Sequence, residues 1–156
     1  MARAAPSLLS RGVALLARRE HSRLELSRKL APHAESPEQL EAALNQLMEL
    51  GLLSESRFAE ALVRVRGQGY GVARIRAELS QKGVSDALAQ PALEDARQSE
   101  ASRHFVVWDK RFGQPPATLA EKAKQQRFMA ARGFSPDLYR ALERRDFQPP
   151  ETEFPS

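Results

Sequence analysis

Basic side chains are concentrated between residues 57 and 85, and their type and spacing indicate the binding of anions. There are six of them against two glutamates: Arg57, Arg64, Arg66, Arg74, Arg76 and Lys82. Most of the 24 basic residues of the chain are arginines, whose planar fork of N–H donors suits carboxylates and phosphates. We therefore predict a surface that binds an anionic partner, with phosphate contacts that fix position without reading base sequence.

Two glycine-marked turns separate the helices that must carry these side chains. Apolar residues recur at helical spacing on both sides of the glycines at 67, 69 and 71, and these are Phe58, Leu62, Val65, Val72, Ile75 and Leu79. Gly83 stands where a C-terminal cap favours glycine, and Ser85 stands where a side-chain oxygen can cap the next helix. The stretch predicts a unit of three helices.

The remainder of the chain repeats this pattern of capped, amphipathic helices. The segment from Lys82 to Leu88 and the segment from Arg132 to Leu138, fifty residues later, share one pattern: a basic residue, glycine, an apolar residue, serine and, three residues on, leucine. We predict an all-α fold of three tandem three-helix repeats, stacked into an elongated, curved array. The predicted boundaries are a flexible N-terminus at 1–6, repeats at 7–53, 54–97 and 98–146, and a disordered proline-rich tail at 147–156.

Several single residues carry more specific expectations. Phe105, Trp108 and Phe112 share one side of a helix and are expected in the core, as is Leu119 in the following helix. Tyr70 lies in the glycine turn and is a candidate to stack on an unpaired base. Pro91 falls inside a predicted helix, where proline costs about 3 kcal/mol.

No constellation of residues predicts an enzyme. The absence of cysteine removes a thiol nucleophile and thiolate metal ligands, and the three histidines lack ligand spacing. The G-x-G-x-G at 67–71 has neither a preceding strand nor a following Gly-Lys-Ser/Thr, so we interpret it as an interhelical turn. No apolar run approaches the roughly 18 residues that a membrane helix needs. We expect a cytoplasmic, non-enzymatic protein without catalytic residue, cofactor, metal or membrane contact.

The stretch RFAEALVRVRGQGYGVARIRAELSQKGVS resembles the signature region of the RecX family. LSRKL at 26–30, LMELGLLSESRFAEA at 47–61, and the later WDKRFG and KQQRFMAARGFS are also similar to that family. The resemblance implies an all-helical cytoplasmic regulator, expected as a monomer, that lodges in the groove of the RecA filament on single-stranded DNA. It implies restraint of the ATPase, recombinase and coprotease activities of RecA, and hence a role in DNA repair, homologous recombination and the SOS response.

The resemblance also supplies candidate contact residues. The basic and glycine pattern of the family carries over to Arg57, Arg64, Arg66, Gly69, Gly71, Arg74, Ile75 and Gly83. The chain departs from the family at Val72 and Ala73, which replace a proline and a basic residue, and at Ser54, where aspartate is usual. The candidate contacts to RecA or DNA are Arg57, Arg64, Arg66, Tyr70, Arg74, Arg76, Lys82, Arg127 and Arg132.

Two other classes of function remain open from the sequence. ELSQKGVSDAL has the helix, turn and helix of a DNA-reading motif, but its second helix carries Asp86, Glu94 and Asp95, which phosphates would repel. A helical-repeat scaffold that binds only protein is the other alternative. A steep fall of single-strand affinity with salt would favour phosphate contacts, and a flat response would favour the scaffold.

Overall fold

A computed structural model of the chain describes residues 3–151 and confirms the all-α fold class. Within those residues there are nine α-helices and no strand: α1 Leu8–Arg18, α2 Arg23–Leu30, α3 Pro37–Glu49, α4 Glu55–Arg66, α5 Val72–Gln81, α6 Asp86–Gln98, α7 Glu100–Arg111, α8 Leu119–Ala131 and α9 Pro136–Arg144. A short 3-10 helix, Ala31–His33, follows α2. In this part of the chain no helix combines the length and apolar character that crossing a bilayer requires.

The helix ends follow the capping signals of the sequence. The side chain of Ser22 accepts a hydrogen bond from the backbone N of Glu25, and the Glu25 side chain accepts one from the backbone N of Ser22. The hydroxyl of Ser85 accepts from the backbone N of Leu88, which confirms it as a cap. Gly83 has φ +78°, the left-handed conformation that favours glycine after a helix. The predicted turns are therefore confirmed.

Pro91 does lie inside a helix, because α6 runs without a break from Asp86 to Gln98. Its missing amide hydrogen removes one hydrogen bond of the helix, to the carbonyl of Ala87. Pro91 is exposed, whereas the adjacent Ala92 and Leu93 are buried, so the core contacts of α6 hold the helix in spite of that loss.

By packing, the chain divides into two compact units. One contains the residues up to Ala61 together with Leu79–Ala89, and the other contains Leu62–Glu78 and the residues from Gln90 onward. This division runs through α4, α5 and α6 and does not test where one sequence repeat ends and the next begins. The three repeat boundaries stay predictions.

The first unit has a leucine core from α1, α2, α3 and the following turn: Leu8, Leu26, Leu30, Leu44, Leu47 and Leu53. Glu25 lies at its edge, bonded by Arg19 and by the backbone N of Ser22. Burial favours the neutral acid, but these hydrogen bonds outweigh it and lower the pKa of Glu25 to about 2. Glu25 therefore remains a carboxylate that the basic residues around it neutralise.

The second unit has an aromatic core, made of Trp108, Met129, Phe134, Tyr139 and Leu142. Buried Gln125 accepts hydrogen bonds from Trp108 Nε1 at 2.8 Å and from the Tyr139 hydroxyl at 2.9 Å. The ring of Phe147 packs on Trp108 with centroids 5.2 Å apart, so this residue belongs to the core and not to the tail predicted from 147. Residues 1–2 and 152–156 of the predicted flexible ends lie outside the described residues.

Two apolar residues that the periodicity placed inward are exposed. Val65 is 65% exposed and Leu119 is 86% exposed. In α8 the buried side belongs instead to Gln125 and Met129, because the indole N–H of Trp108 needs a hydrogen-bond acceptor in the core. A polar residue therefore takes a core position that hydrophobic spacing cannot identify.

His104 should make the stability of this protein depend on pH. It is 1% exposed, and neither ring nitrogen has a hydrogen-bond partner among residues 3–151. Burial, together with the charge of Arg145, lowers its pKa from 6.5 to about 4. Between these values the unfolded chain binds the proton and the folded chain does not, so acidification destabilises the fold, by roughly 3 kcal/mol over the whole window.

The measurement is urea unfolding of the wild type and of His104→Leu at pH 7 and pH 4.5. The leucine leaves no unpaired nitrogen, so we expect its stability at pH 7 to be equal or higher. Between the two pH values the wild type should lose about 2 kcal/mol more than the variant. Equal losses in both proteins would assign the pH dependence to other groups, among them His21, whose pKa burial also lowers.

Candidate binding surface

Three of the predicted contact residues are engaged in ion pairs inside the fold. In the first unit, Arg57 Nε donates to Glu20 Oε1 at 2.9 Å and its Nη2 donates to the carbonyl of Gly51 at 2.6 Å. Lys82 Nζ lies 3.5 Å from Glu25 Oε2. In the second unit, Arg66 pairs with Glu78, at 2.9 Å from Nε to Oε2. These three side chains hold the structure in addition to any contact they make with a partner.

Tyr70, Arg74 and Arg132 come together in the second unit. The guanidinium carbon of Arg74 lies 4.2 Å from the centroid of the Tyr70 ring, and that of Arg132 lies 5.0 Å from it. Arg74 Nη1 also donates to the carbonyl of Ala131 at 3.1 Å. Two positive charges are thus stacked on one tyrosine that stands in the glycine turn.

This contact continues through residues that the sequence reasoning did not select. Arg132 also lies over Phe128 at 5.2 Å, and Arg111 lies over both Phe128 and Phe112 at 5.3 Å. We name these six residues the arginine–aromatic cluster: Tyr70, Arg74, Phe112, Arg111, Phe128 and Arg132. Phe112, expected in the core, is half-buried and contributes to this surface. The signal for Arg111 and Phe128 was in WDKRFG and KQQRFMAARGFS, each of which contains an arginine directly followed by a phenylalanine.

The close contact between Gly71 and Gly133 brings the residues of the cluster together. The backbone N of Gly71 donates to the carbonyl of Arg132 at 2.7 Å. A Cβ on Gly71 would meet the carbonyl group of Gly133 and would lie 2.6 Å from the backbone N of Phe134. Gly71 is therefore needed for the close approach of two chain segments, and its own φ is not positive. This contact sets Tyr70 beside Arg132.

Arg103, which the sequence reasoning also missed, holds the same turn from the other side. Its Nη1 donates to the carbonyls of Gly67 at 2.9 Å and Tyr70 at 2.7 Å, and its Nη2 donates to the carbonyl of Ala96 at 2.7 Å. Burial lowers the pKa of this guanidinium from its ordinary value, and the charge of Glu100 only partly opposes the shift. The guanidinium orders the turn by satisfying carbonyls and not by pairing with a carboxylate.

Replacing Arg103 with methionine should loosen the turn while keeping the size of the side chain. Three carbonyls lose their donor, so we expect a destabilisation of about 2 kcal/mol in urea unfolding and faster hydrogen exchange at the amides of 69–71. Arg111→Met is the matched control, since Arg111 makes only ring contacts among the described residues and should cost about 1 kcal/mol or less. Equal effects of the two substitutions would contradict the special role of Arg103.

The other predicted contacts lie outside the cluster, along clefts of the second unit. Arg64 lines a cleft of about 570 Å³, and Arg127 lines one of about 330 Å³. Neither guanidinium has an ion-pair or hydrogen-bond partner in the described part of the chain. Arg76 lines a cleft of about 560 Å³. The second unit therefore adds exposed arginines to the stacked ones.

The arrangement suits the binding of an extended anion. Guanidinium groups on aromatic faces keep their outward N–H donors for phosphate or carboxylate oxygens, and single-strand binding surfaces combine basic groups with aromatic rings. Within residues 3–151 no group of three or more histidine, aspartate or glutamate side chains could hold a metal ion.

Comparison with known proteins identifies the family. The model of the second three-helix domain of RecX matches residues 54–93, and that of the third matches residues 105–142. The regulatory protein RecX of Leptothrix cholodnii is 48% identical over 138 residues, 88% of each chain. The chain belongs to the RecX family. The RecX of Ralstonia nicotianae is 50% identical over 129 residues, 83% of this chain and 81% of that one.

Crystal structures of RecX have the same fold. That of RecX from Lactobacillus salivarius superposes with a TM-score of 0.74 at 21% identity, over 88% of this chain and 96% of that one. A second RecX structure gives 0.72 at 22% identity, over 88% of this chain and 71% of that one. Because the curated relatives are named regulatory proteins, the chain is a member of a family of regulators.

The arginine–aromatic cluster draws on both matched RecX domains. Tyr70 and Arg74 lie in the range of the second domain, whereas Arg111, Phe128 and Arg132 lie in that of the third. The surface of this RecX-family chain is thus assembled from two domains of the family, and either domain alone carries only part of it.

Proposed function

We propose that this chain binds the RecA filament on single-stranded DNA and restrains the ATPase, recombinase and coprotease activities of RecA. The observation that carries the proposal is the arginine–aromatic cluster, in a chain 48% identical to a regulatory protein RecX. Its partner would be RecA together with the DNA that RecA coats. The chain would act without catalysis of its own, as a cytoplasmic monomer, in DNA repair, recombination and the SOS response.

The composition of the cluster supports a filament more than bare DNA. Three arginines supply phosphate or carboxylate contacts, while Tyr70 and Phe128 supply half-buried ring surface. A filament offers both phosphates and the carboxylates of a protein, whereas naked single strands offer only phosphates and bases.

The charge of α6 disfavours a helix-turn-helix DNA reader. In that alternative α6 would enter the major groove, yet Glu94 and Asp95 are exposed on it, and its one basic residue, Arg97, is 3.3 Å from Glu94. A purely protein-binding scaffold would pair the stacked arginines with carboxylates alone, so its affinity would not depend on single-stranded DNA. Both alternatives predict activity that is independent of RecA.

The test is RecA ATP hydrolysis on single-stranded DNA while the purified chain is titrated at a fixed salt concentration. We expect inhibition with fewer copies of this chain than of RecA, because an inhibitor that caps or spreads along a polymer affects many subunits. Unchanged hydrolysis at a large excess, with direct binding to bare DNA measured alongside, would support one of the two alternatives instead.

A further inference from the structure

A second basic surface lies in the first unit, and its lining includes none of the residues discussed as contacts. It is a groove of about 470 Å³ between α1, α2 and the 3-10 helix. Four of its nine lining residues are basic, namely Arg11, Arg18, Lys29 and His33, and none is acidic. We name it the first-unit groove. Neither matched family domain includes it, since their ranges begin at residue 54.

The positive charges of this groove are not neutralised inside the fold. The guanidinium groups of Arg11 and Arg18 have no hydrogen bond or ion pair with any residue between 3 and 151. Lys29 Nζ lies 3.1 Å from Nε2 of buried His21, whose Nδ1 lies 3.0 Å from the carbonyl of Arg19. These two contacts assign the proton of a neutral imidazole to Nδ1, so Nε2 accepts from the ammonium. His21 therefore orients Lys29 without cancelling its charge.

The floor of the groove is aliphatic. Ala14, Leu15, Leu30 and Pro6 line it between the basic side chains. It has no phenylalanine, tyrosine or tryptophan on which a base could stack. Binding sites for single strands combine basic groups with such rings, as the arginine–aromatic cluster does. An aliphatic floor between cations instead suits a ligand with aliphatic side chains between carboxylates.

We propose that the first-unit groove binds an acidic peptide segment of a partner protein, in which carboxylates flank one or two aliphatic side chains. Arg11 and Arg18 are seven residues apart on α1, which is about 10.5 Å along the helix axis. Carboxylates seven residues apart on a helical peptide, or about three apart on an extended one, match this distance. The proposal goes beyond the function proposed above, because it involves neither DNA nor the arginine–aromatic cluster.

The experiment measures fluorescence anisotropy of a labelled synthetic peptide with glutamates and leucines at helical spacing over two heptads. The full chain is titrated in, and two comparison probes are the same peptide with lysine for glutamate and a thymidine oligonucleotide. The test variants are Arg11→Glu/Arg18→Glu, and Ala14→Glu, which puts a carboxylate at an exposed position of the lining. The control is Lys124→Glu/Arg144→Glu, at two exposed positions of α8 and α9, with the same change in net charge as the double variant.

We expect the glutamate peptide to bind the wild type and the control equally, and each test variant at least about tenfold more weakly, since a carboxylate then faces the ligand. Circular dichroism checks that every variant is folded, and the milder Ala14→Glu keeps the test valid if the double variant is not. Equal weakening by the control, absence of peptide binding, or groove-dependent binding of the oligonucleotide alone would each overturn the proposal. RecA is absent from the assay, so its result is independent of the function proposed above.

Discussion

Gly71→Ala is expected to destabilise the chain by about 3 kcal/mol, which corresponds to a fall in melting temperature of roughly 10 °C for a domain of this size. The added methyl group would meet the backbone of Gly133 and Phe134, which cannot rotate away as a side chain can. The segments must separate, and the hydrogen bond from Gly71 N to the carbonyl of Arg132 is then lost. Thermal and urea unfolding followed by circular dichroism measure the effect.

Gly69→Ala is the matched control two residues earlier in the same turn. Its Cβ would meet only Arg132 Nη1, at 3.4 Å, and this atom ends a flexible side chain. Gly69 also has no positive φ, so alanine should change stability by about 1 kcal/mol or less in either direction. If both substitutions had equally small effects, the close approach of the two turns would not be a stability determinant.

Arg74→Glu/Arg132→Glu is expected to weaken binding to the RecA filament by about 100-fold or more. Hydrogen bonds to charged groups contribute about 1.5 to 3 kcal/mol each, and the substituted carboxylates would repel phosphates besides. Both guanidinium groups flank Tyr70, so the double variant removes the centre of the cluster. The measurement is the concentration that half-inhibits RecA ATP hydrolysis, together with anisotropy of filaments on labelled DNA.

Lys124→Glu/Arg144→Glu changes net charge by the same amount at two exposed positions of the same unit and serves as the control. It should leave binding within a few-fold, because only the general field of the protein changes. Each arginine that contacts a phosphate should also contribute about 0.7 to the slope of log affinity against log salt on single strands. Equal inhibition by the double variant, the control and the wild type, with melting temperatures unchanged, would eliminate the cluster as the binding surface.

Arg66 shows why charge reversal is informative at Arg74 and Arg132 but not at every basic residue between 57 and 82. Its side chain pairs with Glu78, so a glutamate at 66 would face another carboxylate and would destabilise the fold for reasons unrelated to binding. Arg57 and Lys82 carry the same complication in the first unit. Their charge and the family pattern placed these residues among the contacts, and neither shows the position of their acidic partners.

What the sequence by itself determined is local. The caps at Ser22 and Ser85, the left-handed Gly83 and the apolar residues Val72, Ile75 and Leu79 follow from neighbours within a few residues, because helix ends and amphipathic faces depend on short-range geometry. The ordered motifs of the sequence also indicate the RecX family, and the family matches at residues 54–93 and 105–142 confirm it.

Only the tertiary structure decided which distant residues meet. Tyr70 lies under Arg132, and Arg103 donates to the carbonyl of Tyr70, although both arginines are far from Tyr70 in the sequence. No helical periodicity and no motif predicts these pairs. The exposure of Leu119 and the burial of Gln125 also depend on packing between helices. Trp108 on α7 needs a hydrogen-bond acceptor in the core, so α8 turns Gln125 inward. Helix formation is set by residues close in the chain, whereas a binding surface is set by packing between elements that the sequence separates.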